Sequence, residues 1–442
     1  MNFPFQEHTV GVQARPGQKS FLLTRTWDLA RFSYYPWLVI ALCACFLFFK
    51  YVLQVSPSVM TNDLMREFSV NGAGLGNLAA TYFYAYLFIQ ILAGPLLDRY
   101  SPRYLTTIAI GLCALASFAF AYAHTILLAG LARALMGAGT AFATISYMKM
   151  SALWFPTHRV AFVDGLLATA AMVGAVCGQI PLALLVNHIG WRDSLICCGF
   201  FGAALAVLFL LFARDRHPTT VGRALSPCTG SHLPKWHDVL VLFKDKRNWL
   251  LTFYSGLAFT PVAVLGGLWG NPFFEVEHHL TATKAASFTS LIFLGLAIGG
   301  PLFGFFADCL GKRIKAMIVG TLLALVSLLL VIYVSTLPLW LFGSLLFLFG
   351  LGTGVFMLSY PLGKELNHFG LAATVVALIN TGDALFGSFT EPLIGKVLDL
   401  FWQGKTVNGV HFFATADYHI ALSLLPVYLF VGLGCLMVLR KL

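Results

Sequence analysis

Charge is what this sequence has least of. Asp, Glu, Lys and Arg make up only 10% of its 442 residues, where a soluble globular chain carries about a quarter. With 59% hydrophobic residues and a mean hydropathy of +0.82, the chain cannot cover itself with polar surface, so a water-soluble fold is excluded and lipid is its main solvent. A cleavable leader is missing too: the first 36 residues hold Arg15, Lys19, Arg25 and Arg31 but no apolar core before a small-residue cleavage site, and they read as a retained tail. Nine cysteines are present, and seven fall in apolar runs. Cys228 and Cys309 fall in segments expected in the cytoplasm, so no disulfide framework is implied. There is no phosphate-cradling Gly-rich loop, no nucleophile elbow and no paired His/Cys arrangement. Glu275-Val-Glu277-His278-His279 matches no established metal spacing. The expectations are therefore no enzyme, no cofactor and no metal.

What the chain has is long apolar runs. A bilayer core takes about 20 such residues per helix, and twelve runs fit: 37–60, 73–97, 104–123, 126–150, 161–186, 191–213, 249–270, 284–307, 315–335, 338–360, 369–395 and 418–439. The longest polar stretch, 214–248, divides them six and six. The expected organisation is a tail (1–36), an N-terminal six-helix bundle (37–213), a linker (214–248) and a C-terminal six-helix bundle (249–439).

The net charge of +10 does not point to nucleic acid, because the basic residues are scattered over short loops. With the N-terminus inside, 21 of the 28 Lys and Arg fall in cytoplasmic segments and five in outside loops. That bias predicts cytoplasmic termini. Only Lys50 and Arg133 remain, both inside helices.

The two halves repeat. Gly94-Pro-Leu-Leu-Asp98-Arg99-Tyr-Ser101-Pro-Arg103 ends the second run, and Gly304-Phe-Phe-Ala-Asp308-Cys-Leu-Gly311-Lys312-Arg313 ends the eighth, 210 residues later. Gly137-Ala-Gly139-Thr140 with Ser146-Tyr147 returns as Gly350-Leu-Gly352-Thr353 with Ser359-Tyr360, 213 later. Pro181 and Trp191 return as Pro392 and Trp402, 211 later. Parallel six-helix repeats imply a two-fold axis along the membrane normal and a solute site between the halves.

On these motifs the chain resembles the major facilitator superfamily from about residue 37 to 439. Both Gly-x-x-x-Asp-x-x-[Gly/Ser]-x-Arg loops match that family's signature. Arg133-x-x-x-Gly137 resembles its second motif, and Trp154-Phe-Pro-x-x-Arg159 resembles a cytoplasmic segment of many members. Ser101-Pro102 and Cys309-Leu310 depart from the pattern. The resemblance implies an all-α membrane protein with twelve transmembrane helices in two pseudo-symmetric bundles, working by alternating access. It also implies that Asp98, Arg99, Arg103, Asp308, Lys312 and Arg313 form a gating latch favouring the outward-facing state; otherwise they only anchor topology. The physical warrant is that a carboxylate can accept from the exposed N–H groups opening a neighbouring helix.

Charges inside the membrane mark function by default. Lys50 sits about 13 residues into the first run with Gln54 one turn further on, and Arg133 lies in the fourth. Their repeat counterparts are Val262 and Leu346, so the scaffold needs no cation at either depth. The eleventh run carries the opposite sign: Asn380, Asp383, Gly387 and Glu391 form one stripe. Two readings stand. Either these are structural salt bridges across the cavity, or Lys50 and Arg133 attract an anionic substrate while Asp383 or Glu391 takes a coupling proton. Tyr82, Tyr86 and Gln90 share a face of the second run and, with Tyr254 of the seventh, are candidate substrate contacts; Trp269, Tyr147 and Tyr360 are candidates to line the path.

In the fifth run the stretch Met172 to Pro181 has glycines but no Gly-Pro pair, unlike many antiporters of the family. The expected function is proton-coupled uptake of a small organic anion or zwitterionic metabolite, with carboxylate siderophores within the same logic. The expected setting is a monomer in a bacterial inner membrane. The alternatives are metabolite or drug efflux by proton antiport and, from another class, a non-transporting solute receptor, for which the tail and linker are short.

Overall fold

The computed structural model describes residues 34–215, 244–367, 372–407 and 409–442. The expected tail through residue 33 and linker residues 216–243, Cys228 among them, lie outside the described residues. In hydrocarbon no water satisfies backbone N–H and C=O groups, so a chain this apolar must pair them within each segment, as helices. The helices are α1 (Tyr35–Val55, extended by a 3₁₀ turn Ser56–Val59), α2 (Gly72–Arg99), α3 (Pro102–Ala121) and α4 (Ile126–Trp154). Next come Thr157–Cys177 and Ile180–Phe212. In the second half α7 comprises Lys246–Val264, a π segment Leu265–Trp269 and Gly270–Glu277, followed by α8 (Ala282–Leu310) and α9 (Arg313–Tyr333). Then α10 comprises Leu339–Thr353, a 3₁₀ turn Gly354–Leu358 and Ser359–Leu366; α11 is Ala372–Phe401; α12 comprises Thr415–Leu422 and Leu424–Leu439. Several starts are capped by short polar side chains, such as Asn71 accepting from Gly74 N at 2.9 Å and Thr125 from Leu128 N at 3.3 Å, which satisfies a donor that the first turn leaves open.

Among the described residues, ten stretches are long and apolar enough to cross a membrane. One of them, Val163–Phe212, is 50 residues long and holds two passes. Gly190 breaks it with φ +83°, a backbone conformation that glycine adopts without steric cost. Beyond the break Arg192 reaches Ala123 O at 3.0 Å, whereas Tyr35 donates to Phe212 O and Trp154 Nε1 to Arg214 O at 3.0 Å. Residues 157–189 thus form α5, and 191–212 return as α6. The 30-residue α11 is the remaining pass, its Asp383, Glu391, Lys396 and Asp399 diluting its apolar character.

The halves meet along α2 with α11 and α5 with α8, while α4 packs on α2 and α3, and α10 on α8 and α9. The repeat is visible in packing. A Cβ on Gly137 would stand 2.0 Å from Tyr82 O, and one on Gly350 would stand 2.0 Å from Ile292 O. Tyr82 and Ile292 are themselves 210 positions apart, so the same helix-on-helix contact is made twice. Small residues at such crossings let backbones approach closely, which is how helices associate in lipid. The end where α2 meets α3 and α8 meets α9 is the basic face; the other is the opposite face.

Gly137→Val should therefore lower thermal stability in detergent by about 1–3 kcal/mol through overpacking. Gly94→Val, whose Cβ meets nothing within 4 Å, should shift it by less than about 0.5 kcal/mol.

Candidate functional site

Four ionisable side chains lie buried between the halves: Lys50 at 4% exposure, Arg133 at 1%, Asp383 at 6% and Glu391 at 2%. How each is held follows from local sequence.

Arg133 is placed by a proline. In a helix the Leu53 carbonyl would accept from the N–H of residue 57, but Pro57 has none. Ser56 Oγ donates to that carbonyl at 2.9 Å and Arg133 Nη1 at 2.7 Å. The guanidinium lies 5.0 Å from the Tyr82 ring centroid, a favourable cation–π distance, and Thr140 Oγ1 is 2.8 Å from the Tyr82 hydroxyl. Lys50 Nζ donates to the Tyr86 hydroxyl at 3.2 Å and stands 4.7 Å from the Tyr86 ring and 5.0 Å from the Tyr51 ring. Spacing of four residues on α2 stacks Tyr82 on Tyr86, centroids 6.3 Å apart and 10° from parallel. The N-terminal half thus presents two cations in a cradle of three tyrosines.

Across the interface, Asp383 accepts from Ser255 Oγ at 2.6 Å and from the Tyr360 hydroxyl at 2.5 Å. Asn380 Oδ1 is 3.4 Å from the same hydroxyl. Glu391 is different: its Oε2 has no partner, while its backbone carbonyl accepts from Trp269 Nε1 at 3.1 Å. Arg133 Nε and Gln90 Oε1 are likewise buried without partners. Among the described residues neither Lys50 nor Arg133 forms an ion pair.

Lys50, Tyr82, Tyr86, Arg133, Asn380 and Asp383 are therefore brought to one interface, with Gln54 half-buried one turn beyond Lys50. Structural salt bridges, one of the two sequence readings, are not what the geometry shows. Tyr254 is a correction. Its hydroxyl is 2.9 Å from Thr321 Oγ1 on α9, and its ring lies against Gly432, so it packs inside the C-terminal half. Tyr147 and Tyr360 repeat in sequence but diverge in use, Tyr147 donating to Val163 O at 2.7 Å. The sequence reading did not single out Tyr51, Ser255, or the bond from Tyr360 to Asp383. Pro57 was the one local signal that a carbonyl near Arg133 lacked its helical partner.

At the basic face the described contacts of Arg103 and Arg313 are to nearby segments. Arg103 N donates to Asp215 Oδ1 at 2.8 Å and its Nε to Leu210 O at 2.9 Å. Arg313 Nη2 is 2.9 Å from Glu365. Arg99 lies 5.8 Å from the Tyr100 ring, and Lys312 occupies the N-cap of α9. The side chains of Asp98 and Asp308 lie outside the described residues. At α3 the helix start is capped by Asp215, whose Oδ1 accepts from Arg103 N. At the opposite face Asp399 of α11 accepts from Gly72 N at 2.9 Å and Ala73 N at 2.7 Å, a cap that crosses between halves.

Two bundles of this form, meeting at a polar, glycine-lined interface, define a two-domain membrane carrier architecture. The Major Facilitator Superfamily profile matches residues 38–390, and the chain belongs to that superfamily. It is 25% identical over 286 residues to an uncharacterized transporter, YybO, of Bacillus subtilis, a match covering 61% of this chain and 65% of that protein. It is 21% identical over 282 residues to the probable sulfoacetate transporter SauU of Cupriavidus necator, covering 61% and 64%. The matched region spans less than two thirds of either relative's length. The crystal structure of a bacterial homologue of the human lysosomal transporter Spinster, inward-facing and unoccupied, superposes with a TM-score of 0.79 at 15% identity, covering 93% of this chain and 98% of that one.

Tyr254→Phe should cost about 0.5–1.5 kcal/mol of stability by removing one buried hydrogen bond and leave apparent affinity for a transported solute unchanged. Thermal melting and uptake kinetics measured on the same preparation check both halves of that statement.

Proposed function

We propose that this protein is a secondary active transporter that takes up a small organic anion together with protons by alternating access. One observation carries the reading: two buried cations in the N-terminal half have only neutral partners, a tyrosine hydroxyl and a peptide carbonyl. A charge held in a low-dielectric interior without a counter-charge is costly, and an anionic substrate supplies the missing charge. The tyrosine rings leave room for an apolar body beside the carboxylate or sulfonate. SauU, whose name specifies sulfoacetate, is a relative of matching chemistry.

Asp383 and Glu391 are the proton acceptors in this reading. They sit opposite the cations, so binding of the anion and arrival of a proton change the same field. The basic face is assigned to the cytoplasm by the Lys and Arg bias, with both termini there, in a bacterial inner membrane. Residues 37–213 and 249–439 act as the two moving bodies, joined by 214–248, in a chain that works as a monomer. With that orientation the opposite face is outside and is closed by Asp399 on α2. In this reading the signature cations form a latch that favours the outward-facing state.

The test is uptake by proteoliposomes, with organic anions, amino acids, sugars and cationic drugs compared across pH. Anions should be taken up, faster with protons more concentrated outside, and Lys50→Met should lower that uptake at least tenfold with folded protein undiminished. Lys50 is the cleaner probe, because Arg133 also tethers α1. Asp383→Asn should keep anion exchange while losing the proton stimulation. Uptake confined to cations or neutral sugars, with Lys50→Met active, would overturn the anion reading.

A further inference from the structure

Next to Arg133 and Glu391, toward the opposite face, four further buried polar side chains from both halves converge: Ser58 after α1, Gln179 at the step in α5, Asn271 in α7 and Thr289 in α8. All are at most 2% exposed. Gln179 Nε2 donates to Ser58 Oγ at 2.9 Å and to Gly266 O at 2.6 Å. Its Oε1 accepts from Asn271 Nδ2 at 2.9 Å, which also donates to Ser58 O at 3.1 Å. Asn271 Oδ1 accepts from Thr289 Oγ1 at 2.5 Å. Every donor and acceptor of both amides is used, and the network fixes which way each amide faces.

The local backbone is built around this knot. Gly266 lies in the π segment Leu265–Trp269, and single-turn π segments inside α-helices recur at functional positions. The 3₁₀ turn Ser56–Val59 aims Ser58, and the break between Thr157–Cys177 and Ile180–Phe212 aims Gln179. Each of the three interrupted helices thus gives the knot one of its polar groups.

We infer that Gln179 and Asn271 are the gate residues of the opposite face, closing it with an uncharged hydrogen-bond knot that must be exchanged for water in every transport cycle. A neutral knot suits that role. Fully paired, it is stable when dry; when the halves part, water satisfies the same groups, so neither state strands a buried charge. The charged cap of Asp399 on α2 lies beside it but involves other helices. This inference rests on alternating access alone, independent of substrate and coupling ion.

The amide geometry makes a reversal measurable. Asn271→Leu strands Gln179 Oε1 in the closed state, where a buried acceptor without a partner is expensive. Thr289 can still donate to a carbonyl of its own helix. Asn271→Leu with Gln179→Leu removes both amides, and an apolar pair favours closure. Nitroxides placed through a keto amino acid at exposed His188 and Lys284, leaving the cysteines intact, report the gap between halves in lipid nanodiscs by pulsed electron resonance. Asn271→Leu should raise the long-distance population on the order of tenfold, and the double variant should return it to the wild-type value or below while slowing transport. If Asn271→Leu does not fold, Gln179→Leu, which leaves one Asn271 Nδ2–H without its acceptor, takes its place with the same double variant. Distances unchanged in the folded single variant, or equally long in single and double, would overturn the inference. Absence of anion uptake would leave these distances untouched and would refute only the functional reading above.

Discussion

A charge inside a membrane must be neutralised, hydrated or ringed by dipoles, and the arrangement between the two bundles answers to that constraint. Arg133 leans on a carbonyl freed by Pro57. Lys50 faces tyrosine rings and one hydroxyl, and Asp383 takes two hydroxyl donors. None of these solutions uses a carboxylate to cancel a cation. Opposite charges are kept on opposite sides of the interface. Two directly paired salt bridges would have locked the halves together; separated charges leave them free to part.

Closure at the opposite face is handled with different chemistry. There the halves are joined by neutral amides and hydroxyls, by a carboxylate on a helix start, and by backbones in close contact. Neutral groups lose less on moving between water and a dry interface than ions do. At the basic face the Arg103 side chain donates to Leu210 O and its backbone N–H to Asp215, and Arg313 meets Glu365. Among the described residues, ion pairs such as Arg192 with Glu67 and Arg313 with Glu365 lie inside one half.

Much of the fold was legible in the sequence because lipid leaves a chain few options. Runs of about 20 apolar residues, the recurrence of Gly137 as Gly350, and the two signature loops fixed helix number and repeat. Boundaries shifted by several residues, since caps such as Asn71 and Thr125, and not hydropathy, end a helix. Periodicity placed Tyr82 and Tyr86 on one face of α2, and depth marked Lys50, Arg133 and Asp383. Tyr254 failed because a tyrosine in an apolar run points to either a cavity or a neighbour, and periodicity does not distinguish the two.

By itself, then, the sequence determined the solvent, the helices, the repeat and the positions at which charge enters the membrane, because these depend on composition and spacing along one chain. Only the tertiary structure decided partners. Tyr360 joins Asp383 and Tyr147 does not join an acid, although the two repeat in sequence; Gln179 meets Asn271 from 92 residues away. Hydrogen bonds form between groups within about 3 Å, and which side chains come that close is set by how helices cross, a property no single run of residues contains.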